Sequence, residues 1–556
     1  MSFAIYDEKP WLARYPEQQQ HQLTPAYDNL LEAFRARLND APDSTIIQYF
    51  DGCITHRELD LASNALANAL ILGGFQPGDR LGLLTQNDPA FVIGLLAAWK
   101  AGGIVIAINP MNKERELAYI LNDSGAKALL CLDELYSGSV QPALATENSQ
   151  VLICITYSAL DYQSLNDKRI LDADSRVAVP AGVLSLSQIV QNSMYQGDAA
   201  LPDLQIGSDD TALLAYTSGT TGQPKGAMIT HGNMVFNAYV FKDWAGLTRE
   251  DVNLCIAPLF HITGLIAHVA TSLLVGCRLV LNHRFHPEVA LDIIRRERPT
   301  FTIGAITAFI SQLNTGKVQK GDFNSFRSIY SGGAPVSAAV TEQFQAITGH
   351  YLHNAYGMTE TTSATLLVPQ GSTAPVDVES GALSIGVPVF NTMIRILKED
   401  GTAAKPGEVG ELAVSGPQVM KGYWNQPEST ASAMKDGFLL SGDVGFMDEN
   451  GWVFLVDRKK DMINAGGYKV WPREVEDVMY GHPAVREVAI VGIADDYRGE
   501  TVKAFVSLKE GMSATTDELI AYGKANMSSY KYPRVIEFMK ELPKTNTGKI
   551  LRRSLR

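Results

Sequence analysis

Cysteine is scarce in this chain, and the few present do not cluster. Cys53, Cys131, Cys154, Cys255 and Cys277 are scattered over 556 residues with no CxxC pair and no His/Cys spacing of a metal site. That excludes a disulfide framework and fits the reduced thiols of the cytosol. Positive charge is also short: the formal net charge is -13, which argues against a nucleic-acid partner, since binding one requires a basic surface that displaces counterions. No basic region leads into an apolar stretch at residues 1–10, so no secretion signal is legible. The longest apolar run, residues 90–108, is interrupted by Lys100 and by Gly102-Gly103. It reads as a buried helix over 90–100 turning into a buried strand over 103–108, not as a membrane span. The expectation is a soluble cytoplasmic protein without a transmembrane segment, with peripheral membrane contact and a homodimer both left open.

What is present is the composition of a folded enzyme: 46% hydrophobic and 19% charged residues in a chain too long for one core. Charge is uneven. Residues 460–556 hold sixteen Lys/Arg against thirteen Asp/Glu, a net of +3, which leaves −16 for the first 459. A basic tail on an acidic body suits a piece that handles phosphates, and a plain solvated surface equally well. Between about residues 49 and 380, helical periods alternate with short Val/Ile/Leu runs at 80–84, 104–108, 128–132, 151–155, 255–258 and 279–281. Such runs predict parallel strands buried on both faces, hence an α/β architecture. Residues 164–197 are polar and irregular, an excursion from that pattern. After Gly386, strands are predicted at 392–397, 410–415 and 452–456, separated by Gly, Pro and Asp turns, as in a small barrel or sandwich. The charged run Asp457-Arg458-Lys459-Lys460-Asp461 follows as a candidate domain hinge, and a further α/β pattern runs to Arg556.

The strongest chemical signal is Tyr216-Thr217-Ser218-Gly219-Thr220-Thr221-Gly222-Gln223-Pro224-Lys225-Gly226, between an apolar strand and a helix start near Thr230-His231-Gly232-Asn233. Its glycines let several backbone N–H groups face one point, and four hydroxyls and Lys225 line the same loop, which suits a polyphosphate. The GxxxxGK[ST] pattern is not met, so this is not the common NTPase loop. A flexible Ser/Gly linker would not set Pro-Lys-Gly in a fixed frame.

This loop resembles the phosphate-binding signature of the adenylate-forming superfamily, which includes acyl-CoA synthetases, peptide-synthetase adenylation domains and luciferases. Further motifs follow in that superfamily's order over almost the whole chain. Pro258-Leu259-Phe260-His261 resembles the segment bordering the acid pocket, and Gly332-Gly333-Ala334-Pro335 the stretch against adenine. Tyr356-Gly357-Met358-Thr359-Glu360-Thr361, preceded by Asn354 and Ala355, resembles the motif whose Tyr stacks on adenine, whose Thr meets the α-phosphate and whose Glu holds Mg²⁺. Ser441-Gly442-Asp443 resembles the ribose site, Asp457-Arg458 to Lys469 the hinge and the loop beyond it, and Pro543 to Lys549 the segment carrying the catalytic lysine, with Arg458 and Lys549 also among the implied ATP contacts. The resemblance implies a large N-terminal domain (1–459) of two mostly parallel sheets flanked by helices, with a small β-barrel-like subdomain. A small mobile α+β C-terminal domain (460–556) follows, hinged near Lys460. Singly, Asp443 could cap a turn, Glu360 could be a surface acid and His261 a packing histidine; it is the ordered set that carries the reading.

The chemistry agrees with the resemblance. A carboxylate attacking the α-phosphate of ATP brings two anions together, so cations and oriented dipoles are needed where charge accumulates. Lys549, Lys225, the loop amides (Thr217, Ser218, Gly219, Thr220, Thr221, Gly222) and Mg²⁺ can supply them, with Glu360 and the Thr217 hydroxyl as hard-oxygen metal ligands. Thr359 and Lys225 stand beside Lys549 and Glu360 as expected catalytic residues, and Asp443 can accept from both ribose hydroxyls. The resemblance further implies that Lys549 serves adenylation and then rotates away about Lys460. Gly466, Gly467 and Lys469 would replace it on the face where coenzyme A enters. Many fatty-acid relatives carry a lysine where this chain has Asn464, which leaves the hinge contacts open. For the acid, His261, Ile262, Gly264, Leu265 and Gly332 are the expected contacts, with no cation for a second carboxylate. The segments 9–16 and 466–476 resemble bacterial medium- to long-chain fatty-acid–CoA ligases. An aryl acid, or a carrier protein as acceptor, is the alternative.

Overall fold

The computed structural model describes residues 4–556 apart from 18, 172–175, 193–200, 218–222, 335, 379–380, 459–460, 466–467, 496–498 and 545–549. The alternating apolar runs become two large sheets. One has nine strands; at its centre Phe301–Gly304, Ser328–Gly332 and Leu352–Met358 run parallel, and Ser363–Leu367 and Val387–Pro388 are added antiparallel at one edge. The other has eight strands. Arg80–Leu84, Ile104–Ile108, Ala128–Leu132, Ile153–Tyr157 and Thr211–Tyr216 are parallel within it, and Gly226–Thr230 turns back antiparallel. Both sheets are therefore mostly parallel, as expected, and their central strands are buried on both faces.

The apolar run at 90–108 divides where its breakers stand. Asp88 and Pro89 start the helix Pro89–Lys100, Gly102 takes φ 76°, and the strand Ile104–Ile108 follows. Lys100 is buried, but its ammonium donates to Asp60 Oδ1 (2.6 Å), Ser63 Oγ (2.8 Å) and Asn64 Oδ1 (2.5 Å), so the charge is paired inside the protein. No described helix is long and apolar enough to cross a membrane.

Beyond Gly386, the strands Met393–Leu397, Gly410–Ser415, Phe438–Met447 and Val453–Arg458 build a separate antiparallel sheet with the short Met434–Lys435. The segment at 9–16 packs against this part of the molecule. Trp11 is buried against Gly451, and Tyr15 packs edge-on against Trp244 and Phe390 at 4.9 and 5.6 Å between centroids. Residues after Ile463 make their own core. The long hairpin Val485–Asp495/Gly499–Leu508 places Val488 and Ile490 on one face, against Val475, Met479 and Leu519 of two helices. Its other face places Ala489 and Val491 against Leu542 and Leu555 of the tail. The chain thus has a large N-terminal domain and a smaller C-terminal one.

Candidate active site

The phosphate-loop motif joins two paired antiparallel strands. Thr211–Tyr216 pairs with Gly226–Thr230 in register Tyr216↔Gly226, and the Thr217 N–H donates to the Lys225 carbonyl at 2.9 Å, closing the stem. Ser218, Gly219, Thr220, Thr221 and Gly222 lie outside the described residues. The helix Glu114–Ser124 braces the stem: the Tyr216 hydroxyl donates to Asp123 Oδ2 (2.6 Å), and the Tyr119 hydroxyl to the Pro224 carbonyl (2.9 Å). Burial, then the Asp123 carboxylate, push the Tyr216 phenol far above its ordinary value, so it remains a donor. Thr230 then caps the helix His231–Trp244 in a reciprocal bond with Asn233, as the sequence suggested.

The second motif ends the strand Leu352–Met358. Gly357 is required there, because a Cβ would lie 1.6 Å from the Ser363 carbonyl oxygen. Thr359 and Glu360 occupy the 3₁₀ turn Thr359–Thr361, after which Thr362 (φ 52°) and Ser363 (φ 92°) hold left-handed conformations. Such backbone costs of order 1–3 kcal/mol per residue and must be held from outside. The holder is Asn237, whose buried amide donates to the carbonyls of Thr361 (3.1 Å), Thr362 (2.7 Å) and Ala364 (3.2 Å). The Tyr356 hydroxyl donates to Asp443 Oδ2 at 2.8 Å, which joins the expected adenine and ribose residues directly. Asp443 sits opposite Arg458 in the ladder of Phe438–Met447 and Val453–Arg458; the Arg458 and Lys469 side chains lie outside the description. Asn354 is buried with its amide on the Ser384 carbonyl (2.9 Å).

Glu360 faces the phosphate hairpin. Its Oε1 accepts from the Tyr423 hydroxyl at 2.8 Å, its carbonyl accepts from the Met420 N–H at 2.8 Å, and Lys225 Nζ lies 5.1 Å from the centroid of the same Tyr423 ring. Among the described residues no group of three or more His, Cys, Asp or Glu could hold a metal. A lone carboxylate is nevertheless the donor set suited to Mg²⁺, which keeps most of its waters and takes the rest from substrate phosphates.

Gly332, Gly333, Ala355, Tyr356 and Gly357 line a cleft with Phe241, Thr263, Ile303, Ser363 and Ala364, at the carboxyl ends of the parallel strands. It is half-open, with a volume of about 20 Å³. Ala334 is partly buried beside it, and Pro335 lies outside the described residues. Of the expected acid contacts, Gly332 is in the lining. His261, Ile262, Gly264 and Leu265 are not, although Thr263 between them is. Gly264 begins the π-helix Gly264–Ala270, and a Cβ there would lie 2.1 Å from the Pro258 carbonyl oxygen. Gly264→Ala should therefore cost about 1–3 kcal/mol of stability, measured as a lowered denaturant midpoint with unchanged m. A recess of about 290 Å³ lined by Asp209, Thr230, Asn233, Val419 and Lys421 is larger but contains none of the expected site residues.

The sequence model of the AMP-binding enzyme family matches residues 34–424, and that of the AMP-binding enzyme C-terminal domain matches 474–549. The chain belongs to this family, in its acyl-CoA synthetase branch. It is 38% identical to a long-chain-fatty-acid–CoA ligase of Bacillus subtilis, covering 99% of this chain and 98% of that one. It is 35% identical to a feruloyl-CoA synthase of Amycolatopsis, over 94% and 97% of the two chains. Among solved structures, the anthranilate CoA ligase AuaEII with anthranoyl-AMP superposes with a TM-score of 0.84 at 27% identity, over 96% of this chain and 97% of that one. ATP-bound MatB from Rhodopseudomonas palustris gives 0.83 at 28%, over 95% and 98%.

Proposed function

We propose that the protein is an AMP-forming acid–CoA ligase. It joins a carboxylic acid, best fitted by a medium- to long-chain fatty acid, to the α-phosphate of ATP with loss of pyrophosphate, then passes the acyl group to coenzyme A. The observation that carries this reading is the contact of Asp443 with Tyr356, a residue that lines the Gly332/Gly333 cleft. In this reading the contact would set a nucleotide's base and ribose beside the cleft that the acid would enter. Phe241 and Ile303 stand in its lining, and among the described lining residues there is no cation to meet a second carboxylate, which suits a monoacid better than a diacid. Full-length likeness to the Bacillus subtilis ligase points the same way. The test is hydroxylamine trapping across acids from acetate to oleate plus benzoates, with and without coenzyme A. Turnover that peaks at C8–C18 and proceeds to thioester only with coenzyme A supports the reading. A benzoate optimum would replace the fatty acid by an aryl one, and acyl-AMP accumulating regardless of coenzyme A would make the acceptor a carrier protein.

Glu360, with the Thr217 hydroxyl, would hold Mg²⁺, which when bound neutralises charge on the phosphates. Lys225 would meet the phosphates from the loop stem, Thr359 the α-phosphate, and Lys549 would bring the second cation from the C-terminal domain. Glu360→Gln keeps the shape and removes the charge. The Mg²⁺ concentration for half-maximal pyrophosphate release should rise about tenfold or more, while acid binding stays near wild type. An unchanged Mg²⁺ dependence would remove Glu360 from the ligand set.

The domain division at 459/460 is part of the same proposal, supported from both sides. Arg458 is laddered to Asp443 of the large domain. Asp461, the residue that follows Lys460, pairs with Arg556 at 2.9 Å and Arg552 at 3.7 Å in the tail.

A further inference from the structure

Tyr423 belongs to none of the motifs read from the sequence, yet it touches two of them. Gly422–Tyr423 is a two-residue strand paired with the strand that leaves the phosphate hairpin, in register Gly422↔Met228 and Tyr423↔Ala227. The Trp424 N–H donates to the Gly226 carbonyl (2.8 Å), the Lys421 N–H to the Met228 carbonyl (3.0 Å), and the Tyr423 N–H to Thr430 Oγ1 (2.9 Å), so its backbone is fastened on several sides. From there the ring enters between a cation and an anion. Its hydroxyl donates to Glu360 Oε1 at 2.8 Å, and Lys225 Nζ lies 5.1 Å from its centroid. Neither Lys225 nor Glu360 forms an ion pair among the described residues.

We propose that Tyr423 is a positioning residue that holds Glu360 and Lys225 apart, keeping both from neutralising each other so that each can meet its own part of a metal–polyphosphate ligand. The inference rests on the reading of Glu360 as the metal ligand and goes beyond it. A hydrogen bond to Oε1 fixes the carboxylate's rotation and leaves Oε2 to face a cation, which matters because Mg²⁺ demands near-ideal geometry. The ring face holds the ammonium by its quadrupole without taking up its charge. With the ring gone, the ammonium and the carboxylate that both contact it would be free to close into a pair, and both would be withdrawn from the nucleotide.

The test uses full-length protein and reads binding as well as turnover. Mn²⁺ affinity in the presence of ATP is measured by electron paramagnetic resonance, and metal-free ATP affinity by calorimetry in EDTA. Tyr423→Phe should weaken Mn²⁺ binding about tenfold, within the range for lost orienting bonds at metal ligands, with ATP affinity in EDTA unchanged because the ring remains. Tyr423→Leu should weaken both. Adding Glu360→Gln to Tyr423→Leu should restore ATP affinity in EDTA, since the competing charge is gone; a merely structural role would give further loss. Wild-type Mn²⁺ affinity in Tyr423→Phe, or no restoration in the double variant, overturns the proposal. Glu360→Gln alone tells the two failures apart. If it leaves Mn²⁺ affinity unchanged, the metal-ligand reading falls and the Tyr423 role falls with it; if it weakens Mn²⁺ binding while Tyr423→Phe does not, only the Tyr423 role falls.

Discussion

Lys549→Ala is expected to slow single-turnover pyrophosphate release about 10²–10³-fold, the loss typical of removing one donor aimed at developing charge. Conversion of supplied acyl-AMP and coenzyme A to thioester should stay near the wild-type rate. The proposed division of labour dictates the difference. When the acid attacks ATP, two anions meet and negative charge builds on the α-phosphate, so an ammonium brought beside it lowers that barrier. In the thiol step the adenylate is already formed and, in the proposed cycle, the lysine has left. Lys549 lies outside the described residues, but the residues that flank 545–549 are described. Lys544 bridges Ile550, the Leu551 N–H donates to the Pro543 carbonyl at 2.7 Å, and Lys544 Nζ pairs with Glu487 Oε1 at 2.6 Å. None of these contacts uses the Lys549 side chain, so the alanine variant should fold and bind ATP almost as the parent does. Equal loss in both half-reactions would contradict the assignment.

The sheets were legible because a strand buried on both faces has to be apolar, and runs such as 104–108 and 128–132 have no other use. The same signal misplaces ends. The run at 255–258 is observed as the strand Val252–Cys255, because Ile256 and Ala257 are buried in the irregular segment past the strand's end. The run at 151–155 becomes Ile153–Tyr157, and Leu152 is left 73% exposed. Gly226–Thr230 and Phe438–Met447 were not read as strands at all. Their Gly-rich motifs look like loops, and Gly442 does take φ 73° in the middle of its strand. Ordered motifs located Tyr356, Glu360 and Asp443, while Asn237 and Tyr423, which hold those residues' turn and carboxylate, went unseen. A polar side chain shows its role only through its partner, and these partners lie 124 and 63 residues away. Thr263 had a usable signal, since it stands among residues already assigned to the acid pocket.

Lys460→Pro tests the part of the proposal that no motif chemistry reaches. The flanks are anchored to different bodies: Arg458 pairs with Asp443 in the antiparallel ladder of the large domain, and Asp461 is ion-paired to Arg552 and Arg556 in the C-terminal tail. A rotation that preserves both anchors must be absorbed by the dihedrals of residues 459–460, and so by Lys460 as the proposed pivot. Proline there fixes φ near −65° and removes a backbone donor. The two states of the proposed cycle need different dihedrals at the pivot, so one becomes strongly disfavoured. A bias of about 3 kcal/mol, the usual cost of a misplaced proline, corresponds to roughly 10²-fold in population. The expected result is that pyrophosphate release, which needs only the state with Lys549 inside, continues, while thioester formation falls by about that factor or more. Both are measured by single turnover on the same preparation, with supplied acyl-AMP isolating the second step. A variant that carries out both half-reactions at parental rates would place the pivot elsewhere, and the Arg458 and Asp461 anchors would then have to yield when the domain turns.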